Sequence, residues 1–168
     1  MCPSAATKGR QGQSKPPAEL FVQLSAGSYH ACGVKTDGTL ACWGSNSSGQ
    51  ATPPGGTFKQ VSANFNDSCG VRTDGTLACW GDEALGVPMP PAGAFTQVSV
   101  GKDYACGLRA DGTVVCWGST SSGEEAPPSG TFVQLSAGTH TCGVRSDGAM
   151  ACWGCASSDA CGPCIPPS

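Results

Sequence analysis

The sequence predicts an all-β protein built from four stacked repeats of about 37 residues. Three observations predict it. A similar string opens at Phe21, Phe58, Phe95 and Phe132, which sets the period at 37 residues. Each copy places an Asp-Gly pair between two short apolar runs, a strong hairpin signal. Finally, 25 glycines and 13 prolines interrupt the chain too often for a helical period to persist. A unit of this size is too small to bury its own apolar face. Neighbouring units must stack to complete the core.

Within the first copy, FVQLSAG alternates and then meets glycine, which reads as a strand. The runs ACGV and TLACWG then flank KTDG and read as the two arms of a hairpin. Glycine supplies the positive φ that such a turn requires. The remaining stretch is rich in Ser, Gly and Pro and leads to the next Phe. It reads as a loop with room for a short edge strand. The other three copies follow the same order, and the fourth lacks one residue before Cys142. The chain therefore divides into an N-terminal arm (1–20), four repeats (21–57, 58–94, 95–131 and 132–154) and a Cys/Pro-rich tail (155–168).

The hairpin register predicts disulfides. If Thr36, Asp37 and Gly38 form the loop, Val34 faces Leu40 and Cys32 faces Cys42. Directly opposed residues lie within disulfide range. The same register pairs Cys69 with Cys79, Cys106 with Cys116, and Cys142 with Cys152. Each bond closes a short loop and stabilises by roughly 2–3 kcal/mol at most. Trp43, Trp80, Trp117 and Trp153 lie on the other face of the hairpins, where they are expected to pack between neighbouring units. Gly33, nearly opposite Ala41, leaves space for an indole.

The string G-x-x-H-x-C-G-V-x-x-D-G-x-x-x-C-W-G resembles the regulator of chromosome condensation repeat, in its short, disulfide-bearing form. The resemblance covers residues 21–154 and implies a β-propeller, each repeat giving most of one blade. It implies no single function. Members of the family include exchange factors for a small GTPase, a secreted β-lactamase inhibitor and extracellular receptor domains. Family propellers close with about seven blades, within the usual range for the architecture. Four blades therefore imply an open or partial propeller, a fragment of a longer chain, or a small closed ring.

Composition narrows the function. Charged residues are 12% of the chain and the net charge is −3, which argues against a nucleic-acid surface. No run approaches the ~18 apolar residues of a membrane span. Twelve cysteines, an even count at regular spacing, point to an oxidising, extracellular setting. The arm lacks the apolar stretch of a secretory signal, so this expectation rests on the cysteines alone.

Candidate chemistry is sparse. Cys161-Gly162-Pro163-Cys164 has the letters of a thioredoxin-type redox motif. The four residues that follow leave no helix to stabilise a thiolate, so a structural disulfide is expected. Cys2, Cys155, Cys161 and Cys164 have acceptable ligand types for zinc, but the oxidised company argues against metal. His30 and His140 correspond to Asp67 and Tyr104 in the other copies, which suggests a shared hydrogen-bonding role. Asp37, Asp74, Asp111 and Asp147 each sit beside glycine and read as turn residues, not calcium ligands. Asn46-Ser47-Ser48 and Asn66-Asp67-Ser68 are glycosylation sequons. No catalytic residue, cofactor or metal is expected.

An open repeat stack presents apolar surface and strand edges at its two ends. The four extra cysteines lie near those ends. Cys2 can bond to a tail cysteine of its own chain or to the tail of the next subunit. Head-to-tail contacts make a ring if the rotation closes and a filament if it does not. The expected function is an extracellular structural protein that self-assembles into a polymer, filament or array through its open ends, arm and tail cysteines. The alternative is a monomeric secreted binder or inhibitor that uses the inter-blade loops 45–49, 82–86 and 119–123.

Overall fold

A computed structural model describes residues 15–83, 87, 89–119 and 126–154. Among these residues, twelve strands form four three-stranded antiparallel sheets, each a simple meander. The first blade comprises β1 (Phe21–Ala26), β2 (His30–Lys35) and β3 (Leu40–Gly44). The second comprises β4 (Phe58–Asn64), β5 (Asp67–Arg72) and β6 (Leu77–Gly81). The third comprises β7 (Gln97–Val100), β8 (Tyr104–Leu108) and β9 (Val114–Gly118), and the fourth β10 (Phe132–Ala137), β11 (Thr141–Arg145) and β12 (Met150–Trp153). The linkers form no edge strand among the described residues, contrary to the room the sequence left for one.

The hairpin between the second and third strands of each blade has one design. In the first blade, Gly38 N donates to Lys35 O at 2.9 Å and Gly38 takes a φ of 81°. The Asp37 carboxylate accepts from Thr39 N at 2.9 Å and from the Thr39 hydroxyl at 2.7 Å. Asp74 and Asp111 hold Thr76 and Thr113 in the same way, while Asp147 holds only the amide of Ala149. These bonds keep the Asp37, Asp74 and Asp111 carboxyls below their ordinary range.

The register that follows sets Val34 opposite Leu40, Gly33 opposite Ala41 and Cys32 opposite Cys42. Disulfides join Cys32–Cys42, Cys69–Cys79, Cys106–Cys116 and Cys142–Cys152, with Cα–Cα distances of 4.0–4.1 Å. The space over each strand-two glycine is taken by a phenyl ring rather than an indole. A Cβ on Gly70 would lie 2.6 Å from Phe58 Cδ1, and Gly33, Gly107 and Gly143 stand likewise under Phe21, Phe95 and Phe132. Trp43, Trp80 and Trp153 instead lie against those phenyl rings, at centroid distances of 5.6, 6.4 and 5.6 Å.

The first strand does not alternate simply. Its pairing slips between Phe21 and Gln23, and again at Phe58/Gln60 and Phe132/Gln134. One extra residue in a strand changes which face the following side chains take. Phe21 and Leu24 thus share a face although three positions apart, and both lie over Gly33. Gln23 and Ser25 take the opposite face. Each blade therefore has a head face (phenylalanine, leucine or valine, tryptophan) and a tail face (glutamine, serine, the disulfide and strand-two valine or leucine).

Candidate functional site

The chemistry of this protein is concentrated where the tail face of one blade meets the head face of the next. Three such seams follow one another along the chain, and the stack is not closed by contact of the fourth sheet with the first. The first seam buries Cys32 and Val34 against Phe58, Val61 and Trp80. The second buries Cys69 and Val71 against Val98, Val100 and Trp117. The third buries Cys106 and Leu108 against Phe132, Leu135 and Trp153.

A polar clamp accompanies the apolar contact. The Gln23 side chain donates to Val61 O at 2.9 Å and accepts from Val61 N at 2.8 Å. Gln60 holds Val98 in the same way, at 2.8 Å for both bonds. Gln97 holds Leu135 at 2.8 and 2.9 Å. Two residues on, the hydroxyls of Ser25, Ser62 and Ser99 accept from the amides of Ala63, Val100 and Ala137 at 2.8–3.0 Å. At the hairpin tips, Gly38, Gly75 and Gly112 carbonyls accept from Phe58, Phe95 and Phe132 amides at 2.8–2.9 Å. A primary amide suits this place because it offers one donor and one acceptor in the plane of the backbone pair it meets.

The first residue of the second strand is a different polar residue in each of the first three blades, and its contact crosses a seam in the first and third. His30 Nε2 lies 2.7 Å from the Ser68 hydroxyl, and the Tyr104 hydroxyl lies 2.8 Å from Thr141 Oγ1. Burial holds His30 below the ordinary imidazole range. Asp67 is 2% exposed and accepts from Asp82 N at 2.9 Å. Burial pushes its carboxyl up to about 6, opposed by the Asp82 amide bond and assisted by the negative charges of Asp82 and Asp103. His140, at the corresponding place in the last blade, lies 3.5 Å from Thr139 Oγ1 and is half-buried.

The two ends of the stack carry the same faces, uncovered by any other blade. On the head of the first blade, Leu24 is 60% exposed, whereas Val61, Val98 and Leu135 at the same place are at most 3% exposed. Phe21 and Trp43 are half-buried there. On the tail of the fourth blade, Gln134 and Ser136 are exposed, Cys142 and Val144 are half-buried, and Met150 is 47% exposed. Nothing lies within 4 Å of a Cβ built on Gly148, the hairpin-tip glycine of that blade.

Other candidates are weaker. Loop 45–49 is tied down: Asn46 Oδ1 accepts from Ala51 N, and the next residue, Gln50, is fully buried. Its carbonyl accepts from Trp80 Nε1 at 2.9 Å. Of loops 82–86 and 119–123, only Asp82, Glu83 and Ser119 are described. In the second sequon Asp67 and Ser68 are buried. A shallow depression of about 380 Å³ lies at the last hairpin, lined by Gly130, Thr131, Arg145, Ser146 and Asp147. Its one cation is occupied by Ser129 O and the Phe132 ring. No three His, Cys, Asp or Glu side chains gather as a metal would require among the described residues. Nor is any described helix long and apolar enough to cross a membrane. Cys2, Cys155, Cys161 and Cys164 lie outside the described residues.

Comparison with known proteins agrees with this architecture. The regulator of chromosome condensation (RCC1) repeat model matches residues 21–50 and 95–124. No curated protein sequence matches the chain. The ectodomain of the receptor kinase CR4 from Physcomitrella patens is 28% identical, with a TM-score of 0.71 over 83% of this chain and 42% of that one. The CRINKLY WD40 ectodomain of the receptor kinase ACR4 from Arabidopsis thaliana is 25% identical, with a TM-score of 0.68 over 80% of this chain and 51% of that one. Prp20p from Saccharomyces cerevisiae, at 16% identity, has a TM-score of 0.72 over 83% of this chain and 46% of that one, and shares the fold. This chain thus spans about half the length of these three solved structures. Two of the four repeats thus match the regulator of chromosome condensation repeat model, and the four disulfide-stapled blades share the fold of Prp20p and of the two receptor ectodomains.

Proposed function

We propose that this chain is a non-catalytic, extracellular structural protein that assembles head to tail through the two ends of its blade stack. One observation carries the reading. The residues that seal each internal seam recur on both ends of the stack, where they are exposed: Leu24 at 60% and Met150 at 47%. Apolar side chains placed this way gain about 25 cal/mol for each Å² they remove from water. A contact between unlike faces also repeats from copy to copy, as a polymer, filament or array requires. The extracellular setting is supported by the four disulfides and by the likeness to two receptor ectodomains. Cys2, before the first repeat in sequence, and Cys155, Cys161 and Cys164, after the last, are the cysteines from which a covalent lock would form. Two thiols close to one disulfide there, passing two electrons and two protons to an extracellular oxidant.

Sedimentation velocity of the unreduced full chain over a hundredfold range of concentration tests the reading. The expected result is a weight-average mass that grows with concentration and falls when Cys2→Ser is introduced. A single species of 16.7 kDa at every concentration refutes it.

A second reading draws on the receptor ectodomains, whose likeness favours a monomeric secreted binding module. Tyr29 and Phe65 lie at the same rim, 48% and 37% exposed, with their rings 6.2 Å apart. A binder of this kind keeps its partner after residues 1–20 are removed, whereas a polymer subunit loses assembly.

A further inference from the structure

The three internal seams share one register, and both halves of a fourth copy stand on the surface. We infer that a second copy of this chain docks its first blade on the fourth blade in that register, with Gln134 clamping Leu24 and Ser136 holding Ala26. The inference rests on the head-to-tail reading above and adds which atoms meet.

Each element of the seam has its unused counterpart. Gln134 follows Gln23, Gln60 and Gln97 at the same place in the repeat, yet it is exposed and has no hydrogen-bonding partner among the described residues. Ser136 likewise follows Ser25, Ser62 and Ser99 and is exposed. Their targets in the internal seams are the backbones of Val61 and Ala63, Val98 and Val100, and Leu135 and Ala137. The corresponding backbone on the first blade belongs to Leu24 and Ala26, both exposed. Gly148 O is the counterpart of the carbonyls that accept from Phe58, Phe95 and Phe132, and Phe21 N is the counterpart of those donors.

The apolar surfaces match in the same frame. The tail offers the Cys142–Cys152 disulfide, Val144 and Met150, which stand where Cys106–Cys116, Leu108 and Val114 meet the fourth blade. The head offers Phe21, Leu24 and Trp43, which stand where Phe132, Leu135 and Trp153 are received. A second copy is the favoured occupant because its head reproduces the surface each inner blade receives, in side-chain type and hydrogen-bond register. An unrelated protein would have to match both the apolar surface and a backbone donor-acceptor pair spaced for the glutamine amide.

Complementary blocks test this on the full chain. Leu24→Arg spoils the head and leaves the tail intact, and Ser136→Arg spoils the tail and leaves the head intact. Both residues are exposed, so both variants are expected to fold, with the four hairpin disulfides intact and unchanged circular dichroism. Each alone is expected to sediment as a monomer, and their mixture as a 1:1 pair that goes no further. Gln134→Leu, added to the Leu24→Arg chain, removes both clamp bonds and is expected to weaken that pair about 10- to 100-fold. A pair that forms equally well with Gln134→Leu overturns the clamp. Single variants that still assemble, beside a wild-type chain that assembles, overturn the register but leave self-assembly standing. A wild-type chain that stays monomeric overturns both.

Discussion

At the residue scale, each seam glutamine occupies a place where water would otherwise be the only partner for a strand backbone. Removing the amide from Gln60 leaves Val98 N and Val98 O without it inside the second seam. Gln60→Ala is expected to cost roughly 2–3 kcal/mol in urea unfolding. Gln134→Ala, made in the Leu24→Arg chain, is expected to stay within about 0.5 kcal/mol, because Gln134 contributes nothing to the isolated stack. The glutamine recurs visibly in FVQLS, FKQVS, FTQVS and FVQLS. Its role was not legible because simple alternation puts it on a solvent face, and only the bulge before it turns it onto the next blade.

Asp67 makes a second residue-scale prediction, with a definite sign. Its folded carboxyl is raised to about 6 from 3.8, so the folded state holds this proton more tightly than the unfolded chain. Stability from this group is present below about pH 4 and is lost as pH rises through about 6. Asp67→Asn keeps the acceptor for Asp82 N and removes the charge. It is expected to raise the urea midpoint at pH 7 and to leave it unchanged at pH 3.5. His30 acts in the opposite sense. Its lowered pKa means that acidification below 6.5 destabilises the fold, so a His30→Gln background isolates the Asp67 effect.

At the scale of the element, the hairpin was the most legible part of the sequence. Asp-Gly at a constant offset from two cysteines determines the loop, the loop determines the register, and the register brings Cys32 to Cys42. The first strand was less legible, since a bulge has no residue-type signature here: the position holds an apolar side chain in Val22 and Val133 and a charged one in Lys59. The bulge nevertheless decides which side chain fills the space above glycine. Gly70→Ala puts a methyl 2.6 Å from Phe58 Cδ1 and 3.2 Å from Gln60 O. It is expected to destabilise by about 1–3 kcal/mol in chemical unfolding, by forcing the ring out of the seam. The double change Cys69→Ser with Cys79→Ser is expected to cost up to roughly 3 kcal/mol by the same assay.

At the scale of the whole molecule, the repeat period foretells stacking, and the stack is a run of unlike faces in contact. Three internal seams join the four blades, and the fourth sheet does not close on the first. The sequence announces four units and the cysteines flanking them, but exposure at the ends becomes visible only when equivalent positions are compared in space. Leu24 and Leu135 are the same residue type at the same place in the repeat, at 60% and 3% exposure. That difference is what the proposed head-to-tail contact rests on at the first blade.

Negative-stain electron microscopy of the native, unreduced protein tests the central claim most directly. The account predicts assemblies of more than one chain, in which four-bladed units continue head to tail and which the Leu24→Arg change abolishes. Discrete particles of a single four-bladed chain, at concentrations well above those used to purify it, would contradict it.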